Sequence, residues 1–167
     1  MGLIKFFNMI CIIIICSYIG IIKAQKYELR VMELNKFQNA LIMLKTKMQF
    51  TYEPIKNIFE EISKVIYKDE ENIFKETAKF NEKINENWEI AVDNMRYKLN
   101  KEDLEIIKMF GKMLGKTDID GQVNEILITQ NLVEKQILKA EDEKQKNSKM
   151  YKSIGVIGGL GICVILV

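Results

Sequence analysis

Two carboxylate runs, Glu60-Glu61 and Asp69-Glu70-Glu71, are the residues in this sequence with the most evident capacity for chemistry. Paired carboxylates can divide acid and base roles between them, but only in a pocket that drives their pKa values apart. Neighbours on a helix face stay solvated, so the expected role of both runs is a charged surface. Thr117-Asp118-Ile119-Asp120-Gly121 has some look of a calcium loop. Setting Gly121 at the sixth loop position puts Lys116 at the first and Leu127 at the twelfth, where oxygen ligands are required. Asp118 is therefore read as a helix cap. The chain has no histidine, which removes the usual base at neutral pH and the commonest metal ligand. Its cysteines, Cys11, Cys16 and Cys163, lie in the apolar ends. The serines of the polar middle are Ser63 and Ser148, with Ser153 at its edge, so no Ser-His or Cys-His pair can form. Gly111-Lys112 and Gly115-Lys116 lack the combination of upstream Gly and following Ser/Thr that a phosphate-binding loop needs. The sequence is thus expected to encode no enzyme, and to need no cofactor, metal or small-molecule substrate.

Charge is confined to the middle of the chain. Residues 1–22 carry only Lys5, and residues 153–167 carry no charge. Over the whole chain 25 basic residues nearly cancel 23 acidic ones, and only Arg30 and Arg96 are arginine. A nucleic-acid face needs a clustered basic excess and favours the bidentate guanidinium, so no nucleic-acid partner is expected. Phe6 to Ile22 would make roughly 26 Å of helix, enough for a bilayer core. A cleaved signal peptide fits less well, because Ile22 stands where a small residue is wanted. Ile154 to Val167 is short for a span, but Lys149 and Lys152 can snorkel beside it. Gly155 and Gly159 give it a G-x-x-x-G spacing suited to close helix packing in lipid. The reading is therefore a membrane anchor at 1–22, a helical domain at 23–152 and a second membrane segment at 153–167. Lys23, Lys26, Arg30 and Lys36 follow the first segment, and Lys144, Lys146, Lys149 and Lys152 precede the second. By the positive-inside rule the middle is cytosolic and both tips lie outside.

The middle reads as all-α, an antiparallel bundle of about six helices. The first continues from the anchor to about Met48 with Leu34, Phe37, Leu41, Leu44 and Met48 in one stripe. Pro54 ends it and starts a second, with Ile55, Ile58, Phe59, Ile62 and Ile66 inward. Asp69 is the expected cap of a short third helix carrying Ile73, Phe74 and Phe80. A fourth is expected from Asn85 to Leu99 with Trp88, Ala91, Val92 and Met95 inward. Asn100 and Asp103 predict the cap of a fifth, faced by Leu104, Ile107, Phe110 and Leu114 and stopped at Gly115. The last starts near Asp118 with a seam of Val123, Ile126, Leu127, Val133 and Ile137. Beyond Ala140 the sequence EDEKQKNSKMYK is polar all round and predicts a solvated stalk.

The final third carries a more specific pattern. Phe110-Gly111-x-x-Leu114-Gly115-x-x-Asp118, then Gln122, then Lys146-Asn147-x-Lys149-Met150-Tyr151-Lys152-Ser153-x-Gly155 entering an apolar end, resembles the stage III sporulation protein AB family. The likeness covers the whole chain. Around Pro54 it departs: the family pattern has a Glu, a Tyr and a Gly-x-Thr-Pro, whereas this chain has Lys47, Phe50 and Thr51-Tyr52-Glu53-Pro54. The resemblance implies a non-enzymatic platform in the channel-like complex between mother cell and forespore, in the mother-cell-side membrane around the forespore. It implies a soluble domain similar to the F-type platform protein of type II secretion, and partners that include a cytosolic secretion-type ATPase, neighbouring ring components and further copies of itself. The turn carrying Phe110, Gly111, Leu114, Gly115 and Asp118 would be its candidate docking site. A membrane-anchored helical signalling or sensor protein is the alternative.

Overall fold

The computed structural model describes residues 2–51, 53–68, 70–79, 84–94 and 99–166, with the side chains of 2–6 and 165–166 excepted. The described residues form helices α1 (Gly2–Phe50), α2 (Ile55–Tyr67), α3 (Ile73–Ala78), α4 (Ile84–Asp93), α5 (Lys101–Met113), α6 (Ile119–Glu143) and α7 (Lys149–Leu166), with a π-helical turn at Lys144–Ser148 between the last two. No strand occurs among them, as expected of an all-α chain. They group into two compact units. One comprises Met32–Leu138; the other joins the chain up to Val31 to the chain from Lys139 onward.

In the larger unit the elements begin and end where local chemistry requires. Pro54 precedes the first residue of α2 at φ −55°, where its missing N–H costs nothing. Lys68 closes α2 in the left-handed conformation at φ 51°, its N–H donating to Ser63 O. The expected cap Asp69 lies outside the described residues; the cap observed for α3 is Asn72. Its Oδ1 accepts from Lys75 N at 3.0 Å, while Nδ2 donates to Ser63 Oγ at 2.8 Å and Glu70 O at 2.7 Å. Asn72 is wholly buried, so one amide holds the end of α2, the connection and the start of α3 together. Phe80 and Met95, expected inward, lie outside the described residues. At α5 the expected cap is a full capping box: Asp103 N donates to Asn100 Oδ1 and Asn100 N to Asp103 Oδ2.

An aromatic cluster forms the core. Trp88 is fully buried, with ring centroids of Phe74, Phe110 and Phe59 within 5.3–5.7 Å and Phe37 at 6.4 Å. The mostly tilted and edge-on geometries are those that aromatic quadrupoles favour. These rings come from α1, α2, α3, α4 and α5, so one indole ties five helices. The stripes expected on α1 and α2 are buried at Leu34, Phe37, Leu41, Leu44, Ile58, Phe59 and Ile62, with Met48, Ile55 and Ile66 half-buried. The α6 seam needs correction. Leu127 is 41% exposed, and the buried positions in this unit are Val123, Ile126, Thr129, Val133 and Gln136. Thr129 satisfies its hydroxyl on Glu125 O, and Gln136 donates to Glu102, which is how two polar residues enter an apolar seam. Thr129 takes the inward position that hydrophobicity alone assigns to Leu127.

Gly111 faces Trp88 so closely that a methyl group there would overlap Cδ1, Cγ and Nε1 of the ring. Gly111→Ala is expected to lower stability by about 1–3 kcal/mol or more through overpacking, read as a lowered Tm of the full chain in detergent. A second prediction concerns pH. Burial, then the nearby Glu33 carboxylate, push the Tyr67 phenol far above its ordinary value of 10.0. The folded state thus keeps a proton that the unfolded state loses above about pH 10, and stability falls as pH rises through that region. Tyr67→Phe removes this contribution, so the variant should lose less stability than the parent between about pH 10 and 11.

Candidate functional site

The expected docking turn lies between α5 and α6. Phe110, Gly111 and Leu114 are buried and belong to the core, while Gly115 and Asp118 are exposed. Gly111 matters for what it lacks: without a side chain, α5 lets the indole lie against its backbone, and Trp88 Nε1 donates to Ile107 O at 2.8 Å. With its amide nitrogen turned to α5, Asn85 reaches Gly111 O at 3.1 Å and Leu114 O at 2.8 Å, satisfying carbonyls at the helix end. Gly115 then takes φ 72°, a left-handed conformation that ends α5 and that other residues adopt at a cost.

Gln122 locks the turn from the other side. Its Nε2 donates to Thr117 O at 3.0 Å and its Oε1 accepts from Gly115 N at 3.4 Å. Asp118 is the helix cap that the sequence suggested: its Oδ1 accepts from Gly121 N at 3.0 Å and its carbonyl from Gln122 N at 2.9 Å. The sequence pattern of Phe110, Gly111, Leu114, Gly115, Asp118 and Gln122 thus specifies a rigid connection, and the exposed part of the turn is Gly115 to Asp118. Beside it, Gln49, Phe50, Asp118, Ile119 and Asp120 line a depression of about 630 Å³. Phe50 is 76% exposed. Sequence reasoning missed Phe50 and Ile119 here, because their nearness joins positions that are far apart in the chain. The carboxylate runs stand as expected of surface charge where described: Glu61 pairs with Lys47 at 2.7 Å and Glu70 with Lys36 at 3.3 Å. Among the described residues, no group of three or more His, Cys, Asp or Glu is placed to hold a metal ion.

The second site is the seam of the smaller unit. α1 and α7 run antiparallel there, through Tyr27 with Tyr151, Gly20 with Gly155, and Met9 with Cys163. A Cβ on Gly155 would meet Cys16 O at 2.8 Å and Ser17 Cα at 3.2 Å; one on Gly159 would meet Ile13 Cα at 3.0 Å. Both expected packing glycines therefore sit at the point of contact, and Gly20 answers them from α1, where a Cβ would meet Tyr151 O at 2.5 Å. Gly158 and Gly161 have open space. The stretch beyond Ala140, expected to be a solvated stalk, is not solvated all round: Ser148 is buried within it, as are Ala140 just before it and Ala24 on α1. Glu143 accepts from the buried Arg30 at 2.7 Å, and Lys152 pairs with Glu28 at 3.4 Å. Small residues allow these backbones to approach, so this contact leaves no apolar stripe in the sequence. Ala140 and Ser148 are eight positions apart, where a seven-residue step keeps one helix face in phase. The intervening π turn takes up the extra residue.

α1 is the one helix among the described residues that is long and apolar enough to cross a membrane, by length and composition. The chain matches the family model of stage III sporulation protein AB over residues 5–167. It belongs to the stage III sporulation protein AB family. A family member from Bacillus subtilis (strain 168), itself stage III sporulation protein AB, is 23% identical over 173 residues, covering 98% of this chain and 99% of that one. A solved structure of a stage III sporulation protein AB superposes with a TM-score of 0.63 at 20% identity, covering 71% of this chain and 98% of that one, and shows that the fold is shared.

Gly159→Cys tests the seam of this family member directly. Its Cβ would stand 3.3 Å from that of the native Cys16, close to disulfide range. With Cys11 and Cys163 replaced by serine, mild oxidation of membranes should convert most of the Gly159→Cys chain to an internally crosslinked form that migrates differently without reductant. The Gly158→Cys chain should give none.

Proposed function

We propose that this chain is a non-enzymatic membrane platform of the channel complex between mother cell and forespore, required for endospore formation. The observation that carries the reading is membership of a sporulation family across residues 5–167. The architecture supports it. α1 supplies a membrane-length apolar helix, and α7 meets it through glycine backbones with Ile154, Ile157, Leu160 and Val164 turned outward. Such packing suits lipid, where close backbone approach replaces the hydrophobic drive. Lys23, Lys26, Lys149 and Lys152 then mark the cytosolic boundary, leaving both tips outside and the bundle in the cytosol. The bundle would act as the type II secretion F-type platform does, docking a cytosolic secretion-type ATPase and neighbouring ring components, with the α5–α6 turn at the contact. Its buried residues would hold the turn in shape, and its exposed ones would meet the partner.

Two measurements test this. A clean deletion should arrest spore development after engulfment, and a normal spore yield would overturn the assignment. Single cysteines placed at exposed positions such as Lys64 and Lys112, in a chain whose native cysteines are serine, should resist a membrane-impermeant maleimide in intact cells. They should react once the cells are opened. Labelling from outside would place the bundle across the membrane from the cytosol and remove the ATPase contact.

A further inference from the structure

We infer that the depression beside the α5–α6 turn receives a protein partner through a basic side chain flanked by an apolar one. The inference rests on the platform reading above and names the chemistry of its docking site. The argument starts from Phe50. A phenylalanine 76% exposed at the end of a 49-residue helix leaves most of its ring in water, and Ile119 beside it is 40% exposed. Together they floor a depression of about 630 Å³, within the range of roughly 300–1,000 Å³ typical of ligand clefts. Its walls are preformed, since Gln122 and Asp118 fix the turn by four hydrogen bonds made with backbone groups.

Charge selects the occupant. Among the described residues the lining carries two carboxylates, Asp118 and Asp120, and no cation. Lys47, three residues before Phe50, is already engaged by Glu61 at 2.7 Å and Glu53 at 3.8 Å. The C-terminal end of α1 adds its own partial negative charge. An anionic lipid surface or a nucleic acid would be repelled. Two copies meeting across a two-fold axis would set Asp118 and Asp120 against their own equivalents, a like-charge pairing that suppresses self-association. A Lys or Arg next to a Leu- or Phe-sized side chain on a cytosolic protein satisfies floor and wall at once. Aromatic and guanidinium pairs of this kind are typical interface anchors.

The test uses the full chain in membranes, co-expressed with the secretion-type ATPase of the same complex. A benzoylphenylalanine photocrosslinker replaces Phe50 or, as comparison, Ile128, which is 45% exposed on α6. Crosslinking to the ATPase from position 50, reduced at least fivefold by Asp120→Lys and little by Asp120→Glu, is the expected result. An adduct from position 50 with lipid, or with a second copy of this chain, would overturn the inference. So would ATPase adducts from position 128 and none from 50, although the platform reading would stand. ATPase adducts from 50 that ignore Asp120→Lys would refute the charge selection. Failure of both positions to reach the ATPase would remove the inference and count against the platform reading itself.

Discussion

The bundle depends on one indole resting on a bare stretch of helix. Trp88 reaches the backbone of α5 only because Gly111 presents no side chain, and its N–H is then satisfied by Ile107 O. Burying an indole N–H without an acceptor would cost on the order of 1–3 kcal/mol, so contact and hydrogen bond stand or fall together. Four phenylalanines from four other helices close around the ring. One turn further on, Gly115 in the left-handed conformation and Asn85 on the carbonyls of Gly111 and Leu114 end α5. Phe110, Gly111 and Leu114 thus serve both the core and the approach to the turn.

The smaller unit solves a different problem with the same means. Its helices carry few large side chains at their line of contact; Gly20, Ala24, Ala140, Ser148, Gly155 and Gly159 bring main chain against main chain or leave room for it. Where the chain turns polar, Arg30 with Glu143 and Lys152 with Glu28 replace apolar contact. A buried guanidinium holds its place only if its charge is answered, which Glu143 does at 2.7 Å. Tyr27 and Tyr151 stack at the changeover, with centroids 6.0 Å apart. An aromatic pair with polar tips is the residue choice expected at a boundary between apolar and aqueous surroundings.

Much of this could be read from the residues, because the strong signals are local. Pro54 divides α1 from α2, and Asn100 with Asp103 caps α5. Gly115 stops α5, and Asp118 starts α6. The stripes on α1 and α2 recur at helical spacing, so their inward faces follow from periodicity. What escaped was non-local or chemically quiet. Thr129 is buried because it can bond back to Glu125 O, which its polarity conceals. Asn72 caps α3, a role that the sequence suggested for Asp69. The roles of Asn85, Gln122 and Phe50 depend on pieces of chain that only folding brings together. Ala140 and Ser148 offered no apolar stripe at all, since tight packing there rests on smallness.

The four glycines of α7, at positions 155, 158, 159 and 161, also bear on how the chain is made. The face these glycines present to α1 carries little apolar surface, while Ile154, Ile157, Leu160 and Val164 on the other side are exposed. In a bilayer, the close backbone contact with α1 would add to what those side chains contribute. Since α1 precedes α7 in the chain, it is synthesised first and is there for α7 to meet. The order of the two helices along the polypeptide would then also be the order in which their seam is assembled.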